Sequence, residues 1–164
     1  MDGREQKKKE SEGGLIPLLK RGGIVSGVTG TNPGEVLARL IETVHSPAID
    51  RDRLLSAVLE REALMSTAAG HGVALPHPRN PQVKEPDEQF VTIAYLDKPV
   101  DWNSLDRAPV HTAILIVSAS PKLHLYSLSQ LNFFCQQEQF RALLENRASL
   151  DEIVAVIQAA EQAW

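Results

Sequence analysis

A chain of 164 residues, 43% hydrophobic and 23% charged, has the composition of one ordinary globular domain, able to bury a core without a disulfide or structural metal. Seventeen Lys and Arg against twenty-one Asp and Glu leave a formal net charge of -4, which argues against a nucleic-acid binder relying on phosphate neutralisation. The single Cys135 cannot form an internal disulfide, the N-terminal stretch holds no apolar signal segment, and nothing approaches the roughly 20 apolar residues of a membrane span; a cytoplasmic location is expected.

Residues 1–14 mix Lys7, Lys8 and Lys9 with Glu5, Glu10 and Glu12 and read as a flexible tail ahead of a single domain over residues 15–164. A nucleic-acid-binding arm is the sharper reading of the lysines, and the interspersed acids count against it. From Ile16 to Val28 the apolar residues are broken by Gly22, Gly23 and Gly27, which predicts an irregular entry or a short strand. Asn32, Pro33 and Glu35 then supply a cap, a first-turn proline and a capping-box acid. The helix they open carries Val36, Leu37, Leu40, Ile41 and Val44 on one face and stops at Ser46-Pro47. A second helix from Asp50 puts Leu54, Leu55, Val58 and Leu59 inward, with Arg61-Glu62 near its end, and Ser66 to Gly70 reads as a loop.

Gly72 to His77 reads as a short strand with Val73, Leu75 and His77 on one face and Ala74 and Pro76 on the other. Phe90 to Leu96 is a strand, followed by an Asp97-Lys98-Pro99 turn and a short return through Val100 and Trp102. Val110 to Val117 is nearly all apolar and β-branched, the mark of a central strand covered on both faces. Ser120-Pro121 opens a helix with Leu125, Leu128, Leu131 and Cys135 inward; Phe140, Leu143 and Leu144 give a shorter one. Ser149 with Glu152 caps the last, along Ile153, Val156, Ile157 and Ala160. The class is α/β: a single domain with a mixed β-sheet flanked by helices on both faces.

The chain lacks a G-x-G-x-x-G, a P-loop and a C-x-x-C, so no cofactor is expected. The informative segment is Gly72-Val73-Ala74-Leu75-Pro76-His77-Pro78. Two prolines bracket one histidine, lock their own φ, and bias their predecessors toward extended geometry. The backbone under His77 is therefore pre-organised. The ordinary reading is a strand end with an incidental surface histidine. A metal site built from His71, His77 and His124 is the rival chemistry, but His71 and His77 on one extended strand would stand about 20 Å apart, too far for a common ion unless the chain turns sharply at Gly70-Gly72. Without a G-x-S-x-G elbow a serine hydrolase has no support.

Gly72-Val73-Ala74-Leu75-Pro76-His77 resembles the active-histidine motif of the type-2 (fructose/mannitol) IIA domains of the bacterial phosphotransferase system. That family places an arginine sixteen residues before the active histidine within Leu-Glu-Arg-Glu, and Leu59-Glu60-Arg61-Glu62 supplies it. It also places a second histidine near the start of the helix after a central apolar strand, where His124 stands. Pro78 departs from the often small residue that follows the active histidine. The resemblance covers nearly the whole chain and implies that His77, Arg61 and His124 form a phosphoryl-transfer site. A phosphorylated HPr-type protein would donate to His77. The acceptor would be a IIB domain, with a membrane IIC partner beyond it, or the chain would be a nitrogen-type regulatory IIA whose phosphorylation state controls partner proteins. An interaction-only module with a degenerate site is a third reading, and the retained trio argues against it.

The residue types suit that role. A neutral imidazole accepts a phosphoryl group, and the phosphoramidate passes it onward. Arg61 offers a permanent planar cation to the charge developing on the phosphoryl oxygens. His124, in the first turn of its helix, meets the end that favours anions and disfavours imidazolium, so it is expected to be neutral and to donate an N–H. Outside that trio, His71 reads as a loop residue, and His45 and His111 as structural.

Overall fold

The computed structural model describes Gly3, Arg4 and residues 14–163. Apart from Gly3, Arg4 and Gly14, the expected tail lies outside the described residues. Six helices and five strands follow: α1 (Leu15–Gly22), β1 (Ile24–Val28), α2 (Pro33–Glu42), α3 (Arg51–Leu64), β2 (Ala68–Gly70), β3 (Val73–Ala74), β4 (Phe90–Val100), β5 (Val110–Val117), α4 (Pro121–Cys135), α5 (Glu138–Glu145) and α6 (Leu150–Gln162). The strands form one mixed sheet ordered β1-β4-β5-β3-β2, in which β1 runs parallel to β4, β3 parallel to β5, and the other pairs antiparallel. No helix among the described residues is long and apolar enough to cross a membrane.

Period-two alternation along the central strands builds two cores, one on each face of the sheet. Ala94 and Leu96 of β4, Ala113, Leu115 and Val117 of β5, and Ala74 of β3 face α2 and α3, meeting Val36, Leu37, Leu40, Ile41, Leu54 and Val58. Their neighbours Val91, Ile93, Tyr95, Ile114, Ile116, Val73 and Leu75 face α1, α4, α5 and α6. The two-sided cover expected from the β-branched run of Val110–Val117 is what the sheet shows, and each fully buried Leu or Ile contributes roughly 1.5–3 kcal/mol. The caps expected from sequence also form: Asn32 accepts from Glu35 N at 2.9 Å, and Ser120 accepts from Leu123 N at 3.2 Å.

Several expectations are corrected. The entry Ile16–Val28 holds a helix before its strand: Leu15, Leu18 and Leu19 recur at helical spacing and are fully buried. Pro17 sits in the first turn, where its missing N–H costs nothing. The glycines that read as breakers serve that helix's end. Gly23 has φ 71° and donates its N–H to Leu19 O, and a Cβ on Gly22 would collide with the Val91 carbonyl of β4. The Ser66–Gly70 loop contains β2, turned onto β3 through Gly70, His71 and Gly72, all at positive φ.

The strand expected to reach His77 stops at Ala74, because Pro76 has no N–H to continue the ladder. Its carbonyl still accepts from Ile116 N at 3.1 Å and keeps the segment beside β5. No turn breaks the chain at Asp97-Lys98-Pro99: β4 runs through to Val100 with a register shift between Tyr95 and Val100. Two apolar residues assigned inward point outward, Leu59 at 36% and Leu125 at 65% exposure. On α4 the buried positions near Leu125 are the polar Ser127 and Gln130, which hydrophobic periodicity does not register.

The close approach of α1 to β4 gives a test. Gly22→Ala is expected to lower unfolding free energy by about 1–3 kcal/mol in urea titrations, since backbone on both sides must shift to admit one methyl. Gly3→Ala, with open space around it, is the matched control.

Candidate active site

At one end of the sheet the chain brings together residues from both of its faces. β3 and β5 are parallel, and although β3 ends opposite Ala113, the chain after it stays beside β5 as far as Pro76, whose carbonyl accepts from Ile116 N. The segment after β3 carries His77, and Ser118–Ser120 after β5 leads into α4, which carries His124 on its first turn. On the other face α3 ends beside the same place, because its outgoing chain turns into β2, antiparallel to β3. Arg61 stands in its last turn. The crevice beyond the carboxyl ends of parallel strands is where open α/β sheets commonly hold their sites.

His77 is 8% exposed, and Pro76 and Pro78 beside it are buried. Its Nδ1 lies 2.7 Å from the Leu75 carbonyl. A carbonyl only accepts, so Nδ1 carries the hydrogen and the lone pair of the neutral ring is on Nε2. The rings of His77 and His124 lie 4.5 Å apart at 43°. Arg61 donates from Nη1 to Met65 O at 2.6 Å, closing the end of α3. A guanidinium has five N–H donors, so this bond leaves others to offer.

Electrostatics keep both imidazoles neutral. Burial lowers the His77 pKa; the Leu75 hydrogen bond opposes that shift, the Arg61 charge adds to it, and the Glu62 charge opposes it. His124 is lowered to about 4, first by burial, then by His77 and Arg61. Neutrality of His124 was expected from the helix dipole; burial supplies most of it. Arg61 acts on both rings, so the three residues picked out in the sequence share one electrostatic site.

The other histidines stay outside. His71, exposed at the β2–β3 turn with φ 55°, donates its backbone N–H to Asp106 Oδ2 at 2.8 Å at the opposite end of β3. His111 Nδ1 lies 2.7 Å from Thr112 Oγ1 on β5. His45 is exposed beyond α2. Among the described residues no three His, Cys, Asp or Glu cluster to hold a metal ion.

Sequence reasoning missed three polar residues that brace the site. Glu62 accepts from Thr67 N at 3.1 Å and from Thr67 Oγ1 at 2.6 Å. Gln89 is fully buried, and its Oε1 accepts from Ala119 N at 2.9 Å in the turn leading to α4. These bonds join residues far apart in sequence or across a turn. The one local signal was Glu62 itself, an acid in the last helical turn, where the dipole disfavours it.

Comparison with known proteins adds a family. The model described as "Phosphoenolpyruvate-dependent sugar phosphotransferase system, EIIA 2" matches residues 18–160. The fructose-specific EIIABC component of the phosphotransferase system from Bacillus subtilis is 32% identical over 66% of this chain, which spans only 17% of that protein. A nitrogen regulatory protein of Pseudomonas aeruginosa is 27% identical over 87% of this chain and 94% of its own. Among solved structures, nitrogen regulatory protein IIA-Ntr from Neisseria meningitidis superposes with a TM-score of 0.70 at 23% identity, covering 82% of this chain and 91% of that one. Enzyme IIA Mtl from Escherichia coli, solved in complex with phosphorylated enzyme IIB Mtl, gives 0.65 at 18% identity over 84% and 94%. At these identities the structural likeness concerns the fold.

The lowered pKa values predict a pH profile. Below the unfolded-state value near 6.5 the unfolded chain takes up protons that folded His124 refuses until about pH 4, so stability is full above pH 6.5 and declines as pH falls toward 4. His124→Gln is expected to flatten that decline in unfolding measured from pH 7 to pH 4. In histidine NMR titrations His124 should be the last ring to protonate.

Proposed function

The chain belongs to the EIIA 2 family of the phosphoenolpyruvate-dependent sugar phosphotransferase system, and from that premise we propose that it is a cytoplasmic phosphocarrier taking its phosphoryl group onto Nε2 of His77. The donor is a phosphorylated HPr-type protein, and the acceptor a IIB domain that serves sugar uptake through a membrane IIC partner. One observation carries the reading: a neutral imidazole with Nδ1 bound to the Leu75 carbonyl keeps its Nε2 lone pair, beside His124 and within the field of Arg61.

In the step, the bond from the donor to phosphorus breaks as the Nε2–phosphorus bond forms, and the donor atom keeps the electron pair. Nδ1 retains its proton, held by Leu75 O, and the ring becomes cationic. Charge spreads over three equatorial oxygens in the loose transition state, so the site has to position and neutralise more than it has to move protons. Arg61 offers forked cationic donors. Neutral His124 offers one N–H. Onward transfer reverses the geometry: the Nε2–phosphorus bond breaks, and the imidazole leaves as the same neutral tautomer.

A regulatory role is the second reading, favoured by the P. aeruginosa match, which runs almost the full length of both chains. There the phosphoryl group on His77 alters binding to a target protein. Mixing the charged chain with a fructose- or mannitol-type IIB separates the two: prompt loss of label supports the carrier, and retention supports the regulator.

With enzyme I, HPr and phosphoenolpyruvate, the protein should gain one acid-labile, base-stable phosphoryl group. His77→Ala should abolish it, and label persisting in that variant would reject His77 as the acceptor. Arg61→Ala is expected to slow single-turnover transfer roughly 10²–10³-fold. His124→Gln, which keeps an N–H of similar reach, should retain more rate than His124→Ala; equal losses would exclude hydrogen-bond donation as its role.

A further inference from the structure

Glu62 takes no part in the phosphoryl path just described, yet it stands where helix electrostatics disfavour it. It is the third residue from the end of α3, facing carbonyls that carry partial negative charge. A solvated acid there would gain nothing. Instead both of its carboxylate oxygens are spent on one residue, Thr67, which is 8% exposed at the mouth of β2.

From Thr67 the hydrogen bonds continue without a gap. Its carbonyl accepts from Leu75 N at 2.9 Å, and the Leu75 carbonyl in turn accepts from His77 Nδ1 at 2.7 Å. β3 ends at Ala74, so Leu75 lies beyond the regular ladder and depends on such individual bonds for its place.

The geometry points to Glu62 as a positioning residue: through Thr67 it holds the Leu75 carbonyl against His77 Nδ1, so that Nε2 is the nitrogen presented to the phosphoryl group. The inference rests on His77 being the acceptor. It adds a second consequence, because the ring bearing phosphorus on Nε2 and hydrogen on Nδ1 is cationic. The carboxylate of Glu62 also favours a cationic His77 and opposes Arg61, but it is the weakest of the four influences on that ring, so the hydrogen bonds that a glutamine keeps outweigh the charge it loses. A misplacement of about 1 Å in a reacting group costs on the order of a hundredfold in rate, so slackening this relay should be visible in kinetics.

The test uses the whole chain and phosphorylated HPr in single-turnover mixing over a range of donor concentrations, with the His77 tautomer read by nitrogen-15 NMR. Glu62→Ala is expected to lower the rate at saturating donor about tenfold or more, leave the half-saturating donor concentration nearly unchanged, and reduce the Nδ1–H tautomer of His77. Glu62→Gln should recover most of the lost rate, since its amide oxygen can accept from Thr67 N and its NH2 can donate to Thr67 Oγ1. Thr67→Val removes the hydroxyl bond alone and should fall between wild type and Glu62→Ala.

The inference is overturned if folded Glu62→Ala keeps wild-type rate and tautomer, or if Glu62→Gln is no better than Glu62→Ala. Should Glu62→Ala fail to fold by circular dichroism, Thr67→Val decides: a wild-type rate and tautomer in that variant overturn it. A wild-type chain that takes no label on His77 would instead reject the acceptor assignment, a result distinct from any of these.

Discussion

The hydrogen bond between His77 Nδ1 and the Leu75 carbonyl, 2.7 Å long, is the constraint on which the site depends. A free imidazole exchanges its proton between two nitrogens and turns about its side chain. Here a backbone acceptor two residues upstream removes both freedoms, because the carbonyl cannot donate and the prolines on either side limit how the backbone can move. What is left is one nitrogen, Nε2, that carries the lone pair and points in one direction. Residues around it act on that fixed object: His124 stacks near it, Arg61 sets the potential, and Glu62 and Thr67 hold the strand end that supplies the carbonyl.

The site also depends on the sheet being covered on both faces. His77 continues the line of Val73 and Leu75, toward the helices that include α4; Arg61 comes from α3, packed on the other face. They meet only at the end of the sheet, where no strand separates them. Burial there works in two directions. It keeps His77 and His124 unprotonated, which preserves lone pairs, and it leaves both rings open to the charge of Arg61, which itself is only half-buried. A permanent cation acting on two neutral rings suits the proposed capture of a phosphoryl group, because none of the three has to give up or take a proton.

Rigidity is distributed unevenly around this point. Pro76 interrupts the β3 ladder, yet its carbonyl is bound by Ile116, and Gln89 ties the β5–α4 turn through Ala119. Both sides of the crevice are thus anchored to the central strands by single, long-range hydrogen bonds. Leu64 and Met65, which follow Arg61 at the end of α3, and Leu125, which follows His124 on α4, are exposed.

Much of this was legible in the chain because it is written locally. The two-sided sheet follows from the nearly all apolar run Val110–Val117, the caps from Asn32 and Ser120, and the constrained histidine from its flanking prolines; each signal spans a few residues and needs no partner. The spacing of Arg61 from His77 and the place of His124 were visible through the family's motif. Helix α1 was not, since Gly22 and Gly23 carry the same letters whether they break a helix or let its end approach β4. Nor were Leu59 and Leu125 as outward residues, or Glu62, Thr67 and Gln89 as braces. Periodicity reports how apolar a position is. Which face of α4 meets the sheet, which carbonyl meets Nδ1 and which acid supports that carbonyl are contacts between segments brought together by packing, so only the tertiary structure decided them.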